Sequence, residues 1–118
     1  MKEIKTYEVK LYIGLKEGYE GWIRNIDEVY KICQDYCDEV GLCVTVTPTK
    51  FVYTKGNEPG AIVGLINYPR FPAKPGEIDQ HAANLATMLM PPLCQKRCTI
   101  VTPKRTIMIE QDDLKDEK

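Results

Sequence analysis

The sequence has no long apolar run and very few of the residues that enzymes use most often. Its 118 residues include one histidine and one tryptophan, and no stretch approaches the ~18 apolar residues of a membrane span. The charged segment Met1–Lys5 has no apolar core behind it, so we expect no secretory signal and a cytoplasmic protein. The net charge of −1 argues against bulk binding to nucleic acid or to an anionic membrane.

The five cysteines form an odd set, which does not suit the disulfide framework of a secreted protein. Cys33 and Cys37, like Cys94 and Cys98, are separated by three residues, a spacing that a zinc site permits. The only histidine is His81, and the neighbouring positions have the character of a core. We therefore expect buried free thiols rather than a redox or metal centre, and no cofactor.

Familiar catalytic motifs are also missing. No Ser-His-Asp or Cys-His arrangement is recognisable by spacing, and no Walker loop or Gly-x-Gly-x-x-Gly motif is present. His81 lies near the core face of a predicted helix, which favours a packing role. The absence of these motifs favours a protein that is not an enzyme but leaves enzymatic activity open.

Apolar periodicity predicts the secondary structure of the first half of the chain. Residues 6–15 alternate as in a strand with one buried face. Asn25 can cap a helix that continues to Val40 and stops at Gly41. Residues 42–54 are rich in β-formers, and Pro48 within them predicts an edge strand with a bulge.

The second half repeats this order of elements. The pattern predicts a turn at 55–60, a strand at 61–68, a helix at 77–90 and a last strand at 97–109, which Pro103 can break. Two pairs of short segments are also alike, which favours an internal repeat: Ile13–Leu15 with Val63–Leu65, and Cys43–Pro48 with Cys98–Pro103. We expect one domain over residues 1–110 and a charged, disordered tail at 111–118.

The order strand-helix-strand-strand-helix-strand resembles the ferredoxin-like fold. The resemblance implies an α+β protein with an antiparallel sheet of strand order 4-1-3-2 and both helices on one face. Ile62 and Ile66 alternate with Val63 and Leu65, so apolar side chains lie on both faces of that strand. A lone domain would expose an apolar strip. PII-like and CutA-like proteins resemble this layout and assemble into trimers through the open face, which implies a homo-oligomer here.

Two loops combine aromatic and basic residues directly before a helix. The first contains Tyr19, Trp22 and Arg24, and the backbone N–H groups at a helix start favour anions. Arginine can pair with a phosphate through two hydrogen bonds, and the rings can stack on a base.

The second loop contains Tyr68, Arg70 and Lys74, and its prolines hold it in few conformations. In a ferredoxin-like monomer the two loops lie at opposite ends of the sheet. A ligand site built from both loops therefore requires an oligomer.

These observations favour a non-enzymatic oligomer that senses or sequesters a small anionic ligand of nucleotide type. Small phage proteins that sequester defence-signalling nucleotides are similar in size and style. One alternative rests on residues 21–25, Gly-Trp-Ile-Arg-Asn, which resemble a motif of acylphosphatases and imply that Asn25 orients an attacking water. Another is a protein–protein inhibitor or adaptor that uses the sheet face or the acidic helix.

Overall fold

The computed structural model describes residues 1–18 and 21–111. Their helices and strands are, in chain order, β1 (Glu8–Gly14), α1 (Ile26–Val40), β2 (Thr45–Tyr53), β3 (Gly56–Ile66), α2 (Pro75–Leu89), β4 (Arg97–Val101) and β5 (Thr106–Glu110). Tyr19, a predicted site residue, and the predicted tail from residue 112 onward lie outside the described residues. No helix among the described residues is long and apolar enough to cross a membrane.

The strands form one antiparallel sheet in the order β2-β3-β1-β4-β5. The first four strands have the predicted order, and both helices pack on one face of the sheet. This arrangement confirms the predicted ferredoxin-like α+β fold. The fifth strand extends it at the β4 edge.

The predicted last strand, residues 97–109, is wrong in one respect because the chain reverses direction within it. β4 ends at Val101, and β5 pairs back on it antiparallel, with Val101 opposite Thr106. Thr102 holds the turn: its hydroxyl oxygen accepts hydrogen bonds from the backbone N–H groups of Lys104 and Arg105 at 3.1 and 3.0 Å. The interruption at Pro103 is therefore a hairpin turn rather than a break in one strand.

The predicted edge strand is confirmed, but the predicted bulge at Pro48 is wrong. β2 pairs with β3 in an unbroken register from Thr45 opposite Gly64 to Tyr53 opposite Gly56, with Pro48 opposite Ala61. An edge strand has N–H groups that point away from the sheet, so a proline fits there without a bulge.

The turn between β2 and β3 is much shorter than predicted. Lys55 adopts a left-handed conformation, with φ of 61°, and the strands are paired again by Gly56. Because β1 reaches only Gly60, residues 50–59 project beyond the sheet as a two-stranded arm. We call this segment the arm.

One face of the sheet carries the core and the other is open. Val9, Leu11 and Ile13 of β1 are fully or almost fully buried against the helices. Successive strand residues alternate between faces, so Tyr12 and its partner Ile62 lie on the open face, where both are half-buried. The predicted two-sided apolar character of β3 is confirmed.

The helix ends follow the sequence signals. The side-chain oxygen of Asn25 accepts a hydrogen bond from the Asp27 N–H at 2.9 Å, and Gly41 ends α1 in a left-handed conformation. The internal repeat stays a prediction. Its matched cysteines differ in setting, since Cys43 is exposed before β2 and Cys98 is buried within β4.

Candidate functional site

A groove of about 630 Å³ lies on the open face, at the end of the sheet where β1 stops. The end of β1 forms its floor, the arm forms one wall, and the segment leading into β4 forms the other. Its lining includes Tyr12, Gly14, Lys16, Phe51, Tyr53, Glu58, Cys94, Gln95, Lys96 and Arg97.

Three aromatic rings and a carboxylate face this groove. Phe51, Tyr53 and Glu58 all belong to the arm and alternate onto the open face. The Phe51 ring lies across Gly60, where a β-carbon would meet the ring. Tyr12 supplies the third ring from the floor. Such rings can stack on a planar base, and a carboxylate can accept hydrogen bonds from hydroxyl groups.

The opposite wall of the groove is basic. Lys96 and Arg97 lie at the entry to β4, and Lys16 follows β1. Among the described residues that line the groove, three cationic side chains and one carboxylate, that of Glu58, give an excess of positive charge. The groove therefore suits a ligand that combines a planar ring with an anionic group.

Sequence reasoning missed the groove residues of the arm, because it placed Glu58 in a turn at 55–60 and treated Phe51 and Tyr53 only as residues of a predicted edge strand. With the turn at Thr54 and Lys55 instead, the alternation of Phe51 and Tyr53 with Lys50 and Val52 places both rings on one face. This alternation is the sequence feature from which the two groove rings could have been predicted.

Of the first predicted loop, the structure places Trp22 and Arg24 beside the groove. The Glu17 N–H donates to the Trp22 carbonyl at 3.0 Å, and the Trp22 side chain is 83% exposed. Glu17 lies between Lys16 and Gly18, which both line the groove. The Trp22 ring is therefore largely exposed to solvent, close to the groove mouth.

Arg24 is engaged by its own chain. Its guanidinium lies 3.3 Å from the Glu17 carboxylate and 3.8 Å from that of Glu28, and it donates a hydrogen bond to the Cys94 sulfur at 3.2 Å. That hydrogen bond and the Glu17 carboxylate raise the pKa of Arg24 above its usual value, which keeps it charged. These contacts link the first loop to the wall of the groove.

The second predicted loop lies at the other end of the sheet. Arg70 stacks on Phe71 at 5.5 Å, Lys74 caps α2 with its backbone only, and Tyr68 accepts a hydrogen bond from the Cys43 thiol at 3.4 Å. This hydrogen bond and partial burial raise the pKa of Tyr68. Glu8 pairs with Ile66 while Gly14 pairs with Gly60, so the seven residues of β1 separate the two loops by roughly 20 Å.

No family model matches this chain, and no curated protein matches it. The solved structures do contain similar chains. A phage SAM lyase in complex with S-methyl-5′-thioadenosine has a TM-score of 0.71 and 15% identity, with 91% of each chain covered. A phage SAM lyase in the apo state has a TM-score of 0.71 and 14% identity, with 90% of each chain covered. The chain shares this fold. At such identities the likeness establishes the architecture alone.

The acylphosphatase-like hypothesis gains no support from Asn25. Its side-chain oxygen accepts the hydrogen bond from Asp27 N–H that caps α1, so a structural role accounts for this residue. The neighbouring Arg24 is held by two carboxylates, which would compete with a phosphate for its N–H groups.

The cysteines fall into two classes. Burial raises the pKa of Cys33 and Cys98 to about 12, whereas Cys43 and Cys94 are exposed and Cys37 is intermediate. The expectation of five buried thiols is therefore correct for Cys33 and Cys98 only. Among the described residues, no group of three or more His, Cys, Asp or Glu side chains is arranged to hold a metal ion.

We predict that alkylation will separate these classes. Only the thiolate reacts, and at pH 8 a thiol of pKa 12 is about one part in ten thousand ionised. With iodoacetamide at pH 8, Cys43 and Cys94 should react at least 100-fold faster than Cys33 and Cys98, as followed by peptide mass spectrometry. In denaturant all five should react alike. Modification of Cys33 or Cys98 in the fast phase would contradict the burial described here.

Proposed function

We propose that this protein binds a small adenosine-type ligand that carries an anionic group, in the groove beside the arm. The observation that carries the proposal is the composition of the groove: three rings for a base, one carboxylate for hydroxyl groups and three cationic side chains for an anion. The likeness of fold to a phage SAM lyase in complex with S-methyl-5′-thioadenosine supports this ligand class.

We also propose that the chain is a homo-oligomer, with a second copy seated on the open face. Tyr12 and Ile62 offer apolar surface there, and Met108 of β5 is 53% exposed. Glu8 and Lys10 place both signs of charge on the same face, so opposite charges can meet where two copies are in contact. A trimer is the form that the layout suggests.

The oligomer would bring the two predicted loops together. Trp22 and Arg24 belong to the groove end of one copy, and Tyr68, Arg70 and Lys74 of a second copy would approach it across the interface. In that arrangement the second loop adds a ring and two cations to the groove, in keeping with an anionic ligand. This shared site also gives a reason for the exposure of Trp22.

Calorimetric titration tests the ligand class. The probes are S-methyl-5′-thioadenosine, which has no anionic group, SAM, which has a carboxylate, and AMP, which has a phosphate. We expect AMP to bind at least 10-fold more tightly than the thioadenosine, whereas SAM, whose sulfonium and ammonium groups outweigh its carboxylate, should gain less. Absence of binding by all three at millimolar concentration would refute the proposal.

A matched pair of variants tests the groove itself. Tyr53→Ala removes a ring that is 48% exposed at the groove, whereas Tyr30→Ala removes one that is 42% exposed on α1. Stacking of one base on one ring contributes about 1–3 kcal/mol, so Tyr53→Ala should weaken binding about 5- to 100-fold. Tyr30→Ala should leave it unchanged. Equal loss in both variants would place the ligand elsewhere.

Cleavage of SAM is a second candidate function, favoured by the likeness to a lyase and by the Glu58 carboxylate in the groove. Chromatography of SAM incubated with the protein separates the two functions. Catalytic release of S-methyl-5′-thioadenosine would make the protein an enzyme. Recovery of intact SAM together with measurable affinity would leave it a binding protein. If none of the three probes binds but a cellular protein is captured, the inhibitor or adaptor hypothesis replaces the ligand-binding proposal.

A further inference from the structure

The side chain of Gln95 is fixed in one orientation at the groove. Its Nε2 donates hydrogen bonds to two backbone carbonyl oxygens, that of Lys16 at 2.8 Å and that of Leu93 at 3.1 Å. A carbonyl oxygen can only accept, so the amide nitrogen must face both carbonyls. The amide oxygen Oε1 is consequently fixed on the other side, as an acceptor.

That acceptor faces a space kept open by a glycine. Oε1 of Gln95 lies 2.8 Å from the point that a β-carbon on Gly14 would occupy. An oxygen of the Glu58 carboxylate lies 3.6 Å from the same point. The two oxygens therefore border one small space above Gly14, and each comes from a different wall of the groove.

Two acceptors around one space fit a ligand that presents two neighbouring donors. A carboxylate and the oriented Gln95 oxygen both accept hydrogen bonds, so a phosphate or carboxylate, which also accepts, is disfavoured at this place. Adjacent hydroxyl groups on a sugar ring match the arrangement, and an acidic side chain commonly accepts a hydrogen bond from a ribose hydroxyl in nucleotide sites.

We propose that Gln95 and Glu58, on either side of Gly14, form a subsite that selects the 2′,3′-diol of a ribose over a deoxyribose. The inference rests on the proposed function, because it assigns the ribose of that ligand to a place in the groove. The rings of the arm then hold the base, and Lys96 and Arg97 remain for the anionic end.

The test compares S-methyl-5′-thioadenosine with its 2′-deoxy and 3′-deoxy analogues by calorimetry on the intact protein. A site built to bond a hydroxyl discriminates strongly against a ligand that lacks it, because its own polar groups are left unpaired. We expect at least one deoxy analogue to bind the wild-type protein 10- to 100-fold more weakly. In Glu58→Gln and in Gln95→Met this ratio should fall to within about threefold of one.

Gly14→Ala provides a variant that removes no polar group. The new β-carbon would occupy the space between the two oxygens, so the affinity for the ribose ligand should fall at least 10-fold. Gly76→Ala is its control, because no atom lies within 4 Å of a β-carbon there. Tight binding of the parent compound with no deoxy penalty in the wild type would refute the subsite and leave the proposed function standing. No binding of the parent compound or of the other probes would refute the function itself.

Discussion

Ile62→Glu is expected to convert the proposed homo-oligomer into monomers. Ile62 lies at the centre of the open face, opposite Tyr12, where a second copy is proposed to sit. A carboxylate buried there without a partner costs about 3–5 kcal/mol, which corresponds to a dissociation constant at least 100-fold higher. Native mass spectrometry and light scattering at micromolar concentration give the subunit number directly.

Val52→Glu is the control for this change. Val52 is also an apolar strand residue and is 80% exposed, but it alternates onto the opposite side of β2. Its substitution should leave the subunit number unchanged. A wild-type protein that is monomeric at these concentrations would refute both the oligomer and the shared site. An Ile62→Glu variant that still assembles would show that this face is not the interface.

Gly60→Ala is expected to destabilise the fold and to weaken ligand binding together. The added β-carbon would meet the Phe51 ring and would lie 2.8 Å from the backbone oxygen of Ile13. The ring can move, but the carbonyl is fixed in the sheet. Forcing one extra carbon into a packed site typically costs about 1–3 kcal/mol, and displacement of Phe51 alters the groove.

Chemical denaturation measures the loss of stability in Gly60→Ala, and titration with the tightest-binding probe measures the loss of ligand affinity. Gly76→Ala again serves as the control, since it lies in the first turn of α2 with open space around it. Alanine is the better helix former, so that variant should gain up to about 1 kcal/mol. A Gly60→Ala variant as stable as the wild type would show that Phe51 is not held against this glycine.

Much of the architecture follows from local patterns in the sequence. The α1 boundaries were readable because the Asn25 side chain caps the first turn and Gly41 ends the helix in a left-handed conformation. The strand order followed from the resemblance of the element order to the ferredoxin-like fold. The unbroken register at Pro48 and the hairpin after Val101 were not readable, because both depend on which neighbour a strand pairs with.

The candidate site was less predictable than the fold. Trp22 and Arg24 do lie near the groove, but Glu17 and Glu28 already engage the arginine. Glu58 and Gln95 come from segments that are distant in sequence and meet only over Gly14. No local pattern connects them, since their proximity is produced by the register between β1 and β3.

The projection of the arm beyond β1 has a consequence for how affinity arises. A two-stranded ribbon is marginally stable by itself, and among the described residues the arm apart from Pro59 is paired only within its own hairpin. Local opening of this segment therefore costs less than opening of the central strands. Since the arm supplies two rings and the carboxylate of the groove, the measured affinity would be the intrinsic affinity scaled by the fraction of molecules whose arm is formed. A neighbouring subunit that shifted this equilibrium would tune binding without contacting the ligand.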